Sequence, residues 1–225
     1  MTVTGVDGCA GGWVAVTLGL DGAATTVSLV VAATLEGLSL TGLTGIDMPL
    51  GLLAAGWREA DLLARRALGR RGATVFAIPP RAVWECQSYA EASHICKELT
   101  GKGFSVQAWG LRRKIAEADE FRRRAATSPD NVRVYEVHPE LSFAALAGAP
   151  LQHSKHTPAG LAVRRDLLAQ AGIPVPLRLA GAAEDDLLDA AAVAWSARRI
   201  AAGKAAVITS PGQRADDGSE IAIRY

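Results

Sequence analysis

The sequence predicts a mixed α/β fold, with helices on either side of a mixed sheet, in one domain of 225 residues. Three observations predict this class. Short apolar segments separated by glycine-containing turns fill the chain up to Pro49. A block with helical periodicity follows, and a strand-like segment at residues 132–137 then precedes the longest helical pattern, at residues 184–202. Strand-like segments on both sides of a helical block are typical of an α/β domain.

The amino-terminal strands are predicted from β-branched runs bounded by turn residues. The first run ends at Asp7-Gly8, and the third follows a turn at Asp21-Gly22. Short turns between the first three runs favour an antiparallel meander. The four predicted strands are residues 2–6, 12–19, 25–33 and 43–48.

Residues 52–130 are predicted to form a helical insertion after the fourth strand. Helical patterns cover residues 58–68, 88–99 and 110–126. Charge is uneven along this part of the chain: residues 58–124 carry fourteen basic and eight acidic side chains, whereas residues 1–57 carry four acids and no base. This asymmetry suggests either an acidic centre beside a basic surface or simply more solvated charge on the helices.

The remaining elements are a fifth strand, three helices and two late strands. The fifth strand, at residues 132–137, ends at His138-Pro139, and Thr157-Pro158 marks a helix start. The three helices are predicted at residues 140–147, 158–172 and 184–202, and the late strands at 205–209 and 220–224. In such a sheet the ends of the first and fourth strands lie side by side, which is a natural position for a site.

Composition excludes several classes of protein. The chain is 49% hydrophobic and 21% charged, which excludes wholesale disorder, and no run of about 18 apolar residues is present to span a membrane. The first basic residue is Arg58, so no secretory or transit signal is expected. Three cysteines, an odd and sparse number, predict a reduced cytoplasmic protein.

Familiar nucleotide and hydrolase motifs are absent from the sequence. It contains no GxxxxGK[ST], no GxGxxG after a strand and no GxSxG. The spacing of Cys86, His94 and Cys96 does not fit a zinc ribbon or finger.

The positions of the carboxylates are the most informative feature of the sequence. Asp7 and Asp47 end two strands, Glu136 lies near the end of the fifth, and Asp186 and Asp189 share one face of the last helix. Converging carboxylates repel one another unless a cation lies between them, and Mg²⁺ and Mn²⁺ are held by such oxygens. Two ions about 4 Å apart would polarise a phosphodiester and activate water.

Each acid also has a structural alternative. Asp7 could belong to a hairpin turn, and Asp47 could merely close a strand. Glu136 could pair with Arg133 or Arg164, while Asp186 could serve the helix dipole. Asp189 fits such a role less well, because it lies a turn inside a helix face made of small apolar residues.

Six segments together resemble a bacterial and archaeal family of predicted nucleases with a ribonuclease H-like fold. They are GVDGCAGGWVAV at residues 5–16, GIDMPLGL at 45–52, TVFAIPPR at 74–81, YEVHPELSF at 135–143, SKHTPAG at 154–160 and DDLLDA at 185–190. The resemblance implies a ribonuclease H-like, five-stranded mixed sheet flanked by helices, with the helical insertion after strand four.

A more distant similarity to Holliday-junction resolvases implies roles for single residues. Their pattern of an acid on strand one, an acid on strand four and Asp-x-x-Asp-Ala on the final helix is matched by Asp7, Asp47, Asp186 and Asp189. The segment after strand five would place Lys155 near a substrate phosphate. The chain departs from the family pattern at Ala10, where relatives often carry a basic residue, which weakens phosphate binding by that turn.

The sequence therefore predicts a Mg²⁺- or Mn²⁺-dependent nuclease that cleaves phosphodiesters with two ions. Asp7, Asp47, Asp186 and Asp189 would be metal ligands, and Glu136 a fifth ligand or a residue that orients the others. The expected substrate-binding residues are Lys155, Arg112, Arg113, Lys114, Arg81 and His138. The partner would be nucleic acid or a small phosphodiester. A homodimer is one alternative for the subunit state.

Two other function classes stay open at this point. One is a non-catalytic binding module of the same fold, which a metal titration would separate from an enzyme. The other is a nucleotide-binding phosphotransferase related to actin-like ATPases, although 225 residues leave little room for the second domain of such a protein.

Overall fold

The computed structural model describes residues 2–19, 26–128 and 132–225. Seven strands form one mixed sheet in the order β3-β2-β1-β4-β5-β7-β6. They are β1 (Thr2–Cys9), β2 (Gly12–Gly19), β3 (Thr26–Ala32), β4 (Leu43–Ile46), β5 (Arg133–Val137), β6 (Val207–Arg214) and β7 (Glu220–Arg224). The turn expected at Asp21-Gly22 lies outside the described residues.

The pairing confirms the antiparallel meander of β1, β2 and β3. β4 pairs in parallel with β1 and with β5. The five-stranded sheet that the resemblance implied is too small, because both predicted late strands join it: β7 pairs in parallel with β5, and β6 pairs antiparallel with β7. The carboxy-terminal hairpin thus extends the sheet beyond its fifth strand.

The predicted helices are present, most with ends within two residues of the expected ones. Five lie between β4 and β5: α1 (Glu59–Leu68), α2 (Arg81–Trp84), α3 (Tyr89–Thr100), α4 (Val106–Gly110) and α5 (Arg112–Ala125). Three follow β5: α6 (Pro139–Ala147), α7 (Pro158–Gln170) and α8 (Glu184–Ala201). Short 3₁₀ helices occupy Glu36–Leu38 and Gly69–Thr74. Within the described residues, no helix is long and apolar enough to cross a membrane.

Strand side chains alternate between two hydrophobic layers, as the period of a strand requires. Val6 and Ile46 pack in a cluster with the helices between β4 and β5. Val3 and Leu43 pack in a second cluster with α8. The central strands are therefore covered on both faces.

Two glycines allow α8 to lie directly on the sheet. A Cβ at Gly5 would come within 2.0 Å of the Ala194 nitrogen and 2.3 Å of the Ala190 carbonyl oxygen. A Cβ at Gly45 would meet the Val193 side chain at 2.9 Å. Since Gly5 and Gly45 are register partners in β1 and β4, the helix crosses both strands at the same level.

This close approach predicts that Gly5→Ala is strongly destabilising. The new methyl group would meet helix backbone, which cannot move aside as a flexible side chain can. Overpacking typically lowers the free energy of unfolding by about 1–3 kcal/mol, and we expect a value near the top of that range. Gly110→Ala in α4 is the control, because its Cβ meets nothing within 4 Å. Urea unfolding of both variants measures the difference, and equal stabilities would contradict the close packing of α8.

Candidate metal centre

Two Gly-x-Asp segments place the first two carboxylates of the site. Asp7 follows Gly5 by two residues in β1, and Asp47 follows Gly45 by two at the end of β4. The Asp47 N–H donates to the Val6 carbonyl at 2.8 Å, which continues the β1–β4 ladder. Residues two apart in a strand face the same way, so both carboxylates lie on the α8 side of the sheet.

Asp7 is therefore part of a strand and not of a turn. It pairs with Val14 in the β1–β2 register, and the chain reverses later, at Ala10 and Gly11. The strand predicted at residues 2–6 was too short, because Asp7 and Gly8 have poor strand propensity and tertiary pairing outweighs it.

Helix α8 supplies a third carboxylate. One oxygen from each of Asp7, Asp47 and Asp189 lies within 4.8 Å of the other two. Asp7 is 6% exposed and Asp189 is 3% exposed, while Asp47 is half-buried. The Asp7 Oδ1 accepts the Gly8 N–H at 2.6 Å. We call these three residues the acidic triad.

Lys155 contacts the acidic triad from the segment between α6 and α7. Its Nζ donates to the Asp189 Oδ2 at 2.5 Å and lies 3.9 Å from an Asp185 oxygen. The other oxygen of Asp189, Oδ1, is buried and has no hydrogen-bond partner among the described residues. Burial by itself would lower the pKa of the Lys155 ammonium. The surrounding carboxylates, chiefly that of Asp189, together outweigh burial and raise the pKa, so the ammonium stays charged.

Burial and mutual repulsion disfavour the ionised triad. Burial is the largest cause that raises the pKa of Asp7, followed by the charge of Asp47. Burial and then Asp189 raise the pKa of Asp47 in the same way. The pKa of Asp189 is raised to about 6, again chiefly by burial, although Lys155 opposes the rise. Positive charge in addition to Lys155 would stabilise the ionised form of all three.

The acidic triad fits a hard divalent cation. It offers only carboxylate oxygens, the donors that Mg²⁺ and Mn²⁺ prefer. The unpartnered Asp189 Oδ1 is costly to bury without a partner, and a cation would satisfy it. A buried acidic group that could bind a metal ion is thus present where the sequence predicted one.

Asp186 lies apart from the triad. Its Oδ2 accepts the Ala183 N–H at 3.3 Å, at the start of α8. The structure brings it to the same cavity but does not group its carboxylate with the other three. These contacts fit the structural alternative for Asp186, in which its carboxylate stabilises the start of the helix.

Glu136 is held by a cation and a backbone amide. Its carboxylate accepts from the Arg58 Nη2 at 2.6 and 2.7 Å and from the Leu50 N–H at 2.7 Å. Arg58 is fully buried and also lies 3.4 Å from Asp61. Neither Arg133 nor Arg164 is the partner, contrary to the alternative predicted from sequence. Glu136 therefore lines the site but is not grouped with the triad.

The acidic triad lies in the wall of a cavity of about 440 Å³. This volume is within the range of small-molecule sites. His138 also lines the cavity, and burial lowers its pKa to about 4, so the imidazole is neutral at pH 7. The predicted site residues in the wall are Asp7, Asp47, Lys114, Glu136, His138, Lys155, Asp186 and Asp189.

A protein family matches almost the whole length of the chain. A family model described as "Protein of unknown function (DUF429)" matches residues 5–214. The chain belongs to the DUF429 family. The match spans every residue of the acidic triad, and also Lys155 and Glu136. No curated protein and no solved structure matched the chain.

The basic residues predicted for this DUF429 chain divide into two groups. Lys114 lines the cavity, donates to the Cys9 carbonyl at 3.1 Å and to the Gly12 carbonyl, and lies 4.6 Å from the Trp13 ring centroid. Arg112 packs on Trp109 and Arg113 is exposed, and neither is among the described residues that line the cavity.

Arg81 belongs to an ion-pair network outside the cavity wall. It bonds Asp119 at 2.6 Å and also bonds Asp216, in the turn between β6 and β7. Arg122 and Arg123 of α5 bond the same Asp119 at 2.9 and 3.1 Å. Asp119 within α5, together with Asp216 and Asp217 from the distant turn, thus largely neutralises Arg122 and Arg123, so their charge is not a free phosphate-binding surface.

Sequence reasoning missed two buried charged residues in and around the site, Arg58 and Glu140. Arg58 is the first basic residue of the chain, yet its burial could not be inferred from position alone. Glu140, 5% exposed, accepts from Arg71 at 2.9 Å and Arg164 at 2.5 Å through Oε1, and its Oε2 has no partner among the described residues. The only sequence signal for Glu140 is its place directly after His138-Pro139.

Proposed function

We propose that this DUF429 protein is a Mg²⁺- or Mn²⁺-dependent phosphodiesterase. The observation that carries the proposal is the acidic triad, whose oxygens lie within 4.8 Å of one another in a cavity wall, with a buried Asp189 Oδ1 left unpartnered. When bound, the cation would polarise a phosphoryl oxygen and lower the pKa of a bound water.

The residues of the chain would divide the remaining work. Asp7, Asp47 and Asp189 would hold the cation. Lys155 lines the cavity with a charged ammonium that can donate to a phosphate oxygen. His138, neutral at pH 7, can hydrogen-bond substrate without adding charge.

The fold proposed for this chemistry is the ribonuclease H-like one. The order β3-β2-β1-β4-β5, with an antiparallel meander and a parallel β1–β4 pair, supports this assignment. The C-terminal hairpin is then an addition at one edge. The substrate is proposed to be nucleic acid or a small phosphodiester, and the cavity of about 440 Å³ admits the latter without rearrangement.

Hydrolysis assays with purified protein test the proposal. Branched DNA, single strands, an RNA/DNA hybrid and bis(4-nitrophenyl) phosphate are incubated with Mn²⁺, Mg²⁺ or EDTA. We expect Mn²⁺-dependent cleavage of at least one substrate, and a loss on the order of 100-fold or more in Asp7→Asn. Asp166→Asn, which removes an exposed acid of α7, should keep full activity.

A non-catalytic binding module of the same fold is the second candidate. The Lys155–Asp189 contact at 2.5 Å favours it, since a lysine already neutralises part of the triad. A folded protein that Mn²⁺ does not stabilise would support this candidate, because the acids would then serve structure. Absence of both stabilisation and cleavage would contradict the metal-dependent function.

A further inference from the structure

We infer that the centre binds one divalent cation, and that the Lys155 ammonium supplies the second positive charge that the sequence-based hypothesis assigned to a second ion. The inference rests on the proposed metal-dependent function and concerns how that function is built. Its basis is the arrangement of charge and of free oxygens around the acidic triad.

The charges around the acidic triad balance with a single divalent cation. The three triad carboxylates carry three negative charges when ionised, and Lys155, 2.5 Å from Asp189, carries one positive charge. One divalent cation brings the sum to zero. A second divalent cation would leave a buried excess of two positive charges, which is costly in a site with this little exposure.

The two carboxylate oxygens of Asp189 have different partners. Oδ2 accepts from Lys155, whereas Oδ1 has no partner among the described residues. An aspartate that bridges two ions through its two carboxylate oxygens needs both of them free of other partners. Here one oxygen is free for an ion and the other is occupied by an ammonium, so Lys155 stands where a second cation would otherwise bind.

The other acids that line the cavity near the triad are already neutralised or hydrogen-bonded. Glu136 is paired with Arg58 and the Leu50 N–H. Asp186 accepts a backbone N–H at the start of α8. Glu140 keeps one unpartnered oxygen, but Arg71 and Arg164 both bond its other oxygen and neutralise it. A second ion would therefore meet carboxylates whose charge is already balanced or that already accept a hydrogen bond.

The arrangement has a consequence for phosphate binding. An ammonium has three N–H donors. Asp189 accepts one of those of Lys155, and Asp185, at 3.9 Å, is too far away to accept another. Lys155 also lines the cavity. It can therefore contact one phosphate oxygen while the cation contacts another, as two ions would do together.

The test is a Mn²⁺ titration of the intact protein by calorimetry, with electron paramagnetic resonance to count bound ions. We expect one ion per chain in the parent. In Lys155→Gln we expect tighter Mn²⁺ binding, by about tenfold, because a positive charge that competes for Asp189 is removed. Hydrolysis should nevertheless fall in the same variant, since the phosphate contact is lost.

Two further variants control the titration. Lys97→Gln removes the same charge from an exposed position of α3 and should leave the Mn²⁺ affinity unchanged. Lys155→Arg keeps the charge and should retain one ion with an affinity near that of the parent. Far-ultraviolet circular dichroism of each variant shows whether the fold is kept.

The outcomes separate this inference from the proposed function. Two ions of similar affinity in the parent would overturn the role of Lys155 and leave metal-dependent hydrolysis standing. A folded Lys155→Gln variant with unchanged or weaker Mn²⁺ affinity would also overturn it. No saturable Mn²⁺ binding to the parent would contradict the proposed function, and the inference with it.

Discussion

Asp189→Asn should abolish most of the stabilisation that Mn²⁺ gives to the protein. A ligand at one hundred times its Kd stabilises the folded state by about 2.7 kcal/mol, which corresponds to a rise in Tm of roughly 5–10 °C for a chain of this size. Asparagine keeps the shape of the side chain but removes its charge, so the cation loses one of three carboxylate ligands. Thermal melts of parent and variant, with and without Mn²⁺, measure the change.

The same substitution should not destabilise the metal-free protein at neutral pH. The pKa of Asp189 is raised to about 6, from an ordinary value near 4, chiefly by burial. A raised pKa means that the group stabilises the fold at low pH and that this contribution is lost as pH rises through about 6. Removing the charge should therefore make the variant as stable as the parent or more so at pH 7.5, by about 2–3 kcal/mol at most.

The dependence on pH gives an independent check. Between about pH 4, the ordinary pKa of an aspartate, and about pH 6, its pKa in the folded protein, the metal-free parent should lose stability and Asp189→Asn should lose less. Asp186→Asn is the comparison, because that residue lines the same cavity but lies outside the triad, and its Mn²⁺ response should survive.

A different result would assign Asp189 to structure. If its contact with Lys155 is the main role, Asp189→Asn should destabilise the metal-free protein by about 1–3 kcal/mol and retain the Mn²⁺ response. That outcome would contradict the proposal that the triad holds a cation.

Glu136→Gln should unfold the protein far more readily while leaving the metal response intact. The substitution removes the charge that partners the fully buried Arg58, and breaking a buried pair costs about 3–5 kcal/mol. We expect the lower end of this range, because Asp61 remains 3.4 Å from Arg58. Urea unfolding with and without Mn²⁺ gives both quantities.

A triple variant identifies the cause of that loss. Arg58→Met with Glu136→Met and Asp61→Asn leaves none of these buried charges unpaired and should recover part of the stability lost in Glu136→Gln. If Glu136→Gln instead leaves stability unchanged and removes the Mn²⁺ response, Glu136 is a metal ligand, as one of the two sequence-based hypotheses holds.

Local patterns in the sequence were enough to predict most elements and the positions of the acids. Apolar and β-branched runs bounded by turn residues predicted the strands, and helical periodicity with Thr157-Pro158 predicted the later helices. The sequence also contained a stronger signal for the site. Gly5-x-Asp7 and Gly45-x-Asp47 repeat one pattern, in which a glycine admits α8 and an aspartate follows on the same face.

Partners of charged residues could not be predicted in the same way. Arg58 and Glu136 are 78 positions apart, and Arg81 and Asp216 are 135 apart. No local period links such pairs, because the sheet and its covering helices must form before the side chains meet. For this reason Arg81 was predicted to contact substrate, although Asp119 and Asp216 already pair with it.

The sequence by itself determined the order of strands and helices, the class of fold and the candidate carboxylates, because each depends on residues close together in the chain. Only the tertiary structure decided which acids meet: it joined Asp7, Asp47 and Asp189, separated Glu136 and Asp186, and placed Lys155 against the triad. The physical reason is that electrostatic energy depends on distance and burial in space, and neither is set by separation along the chain.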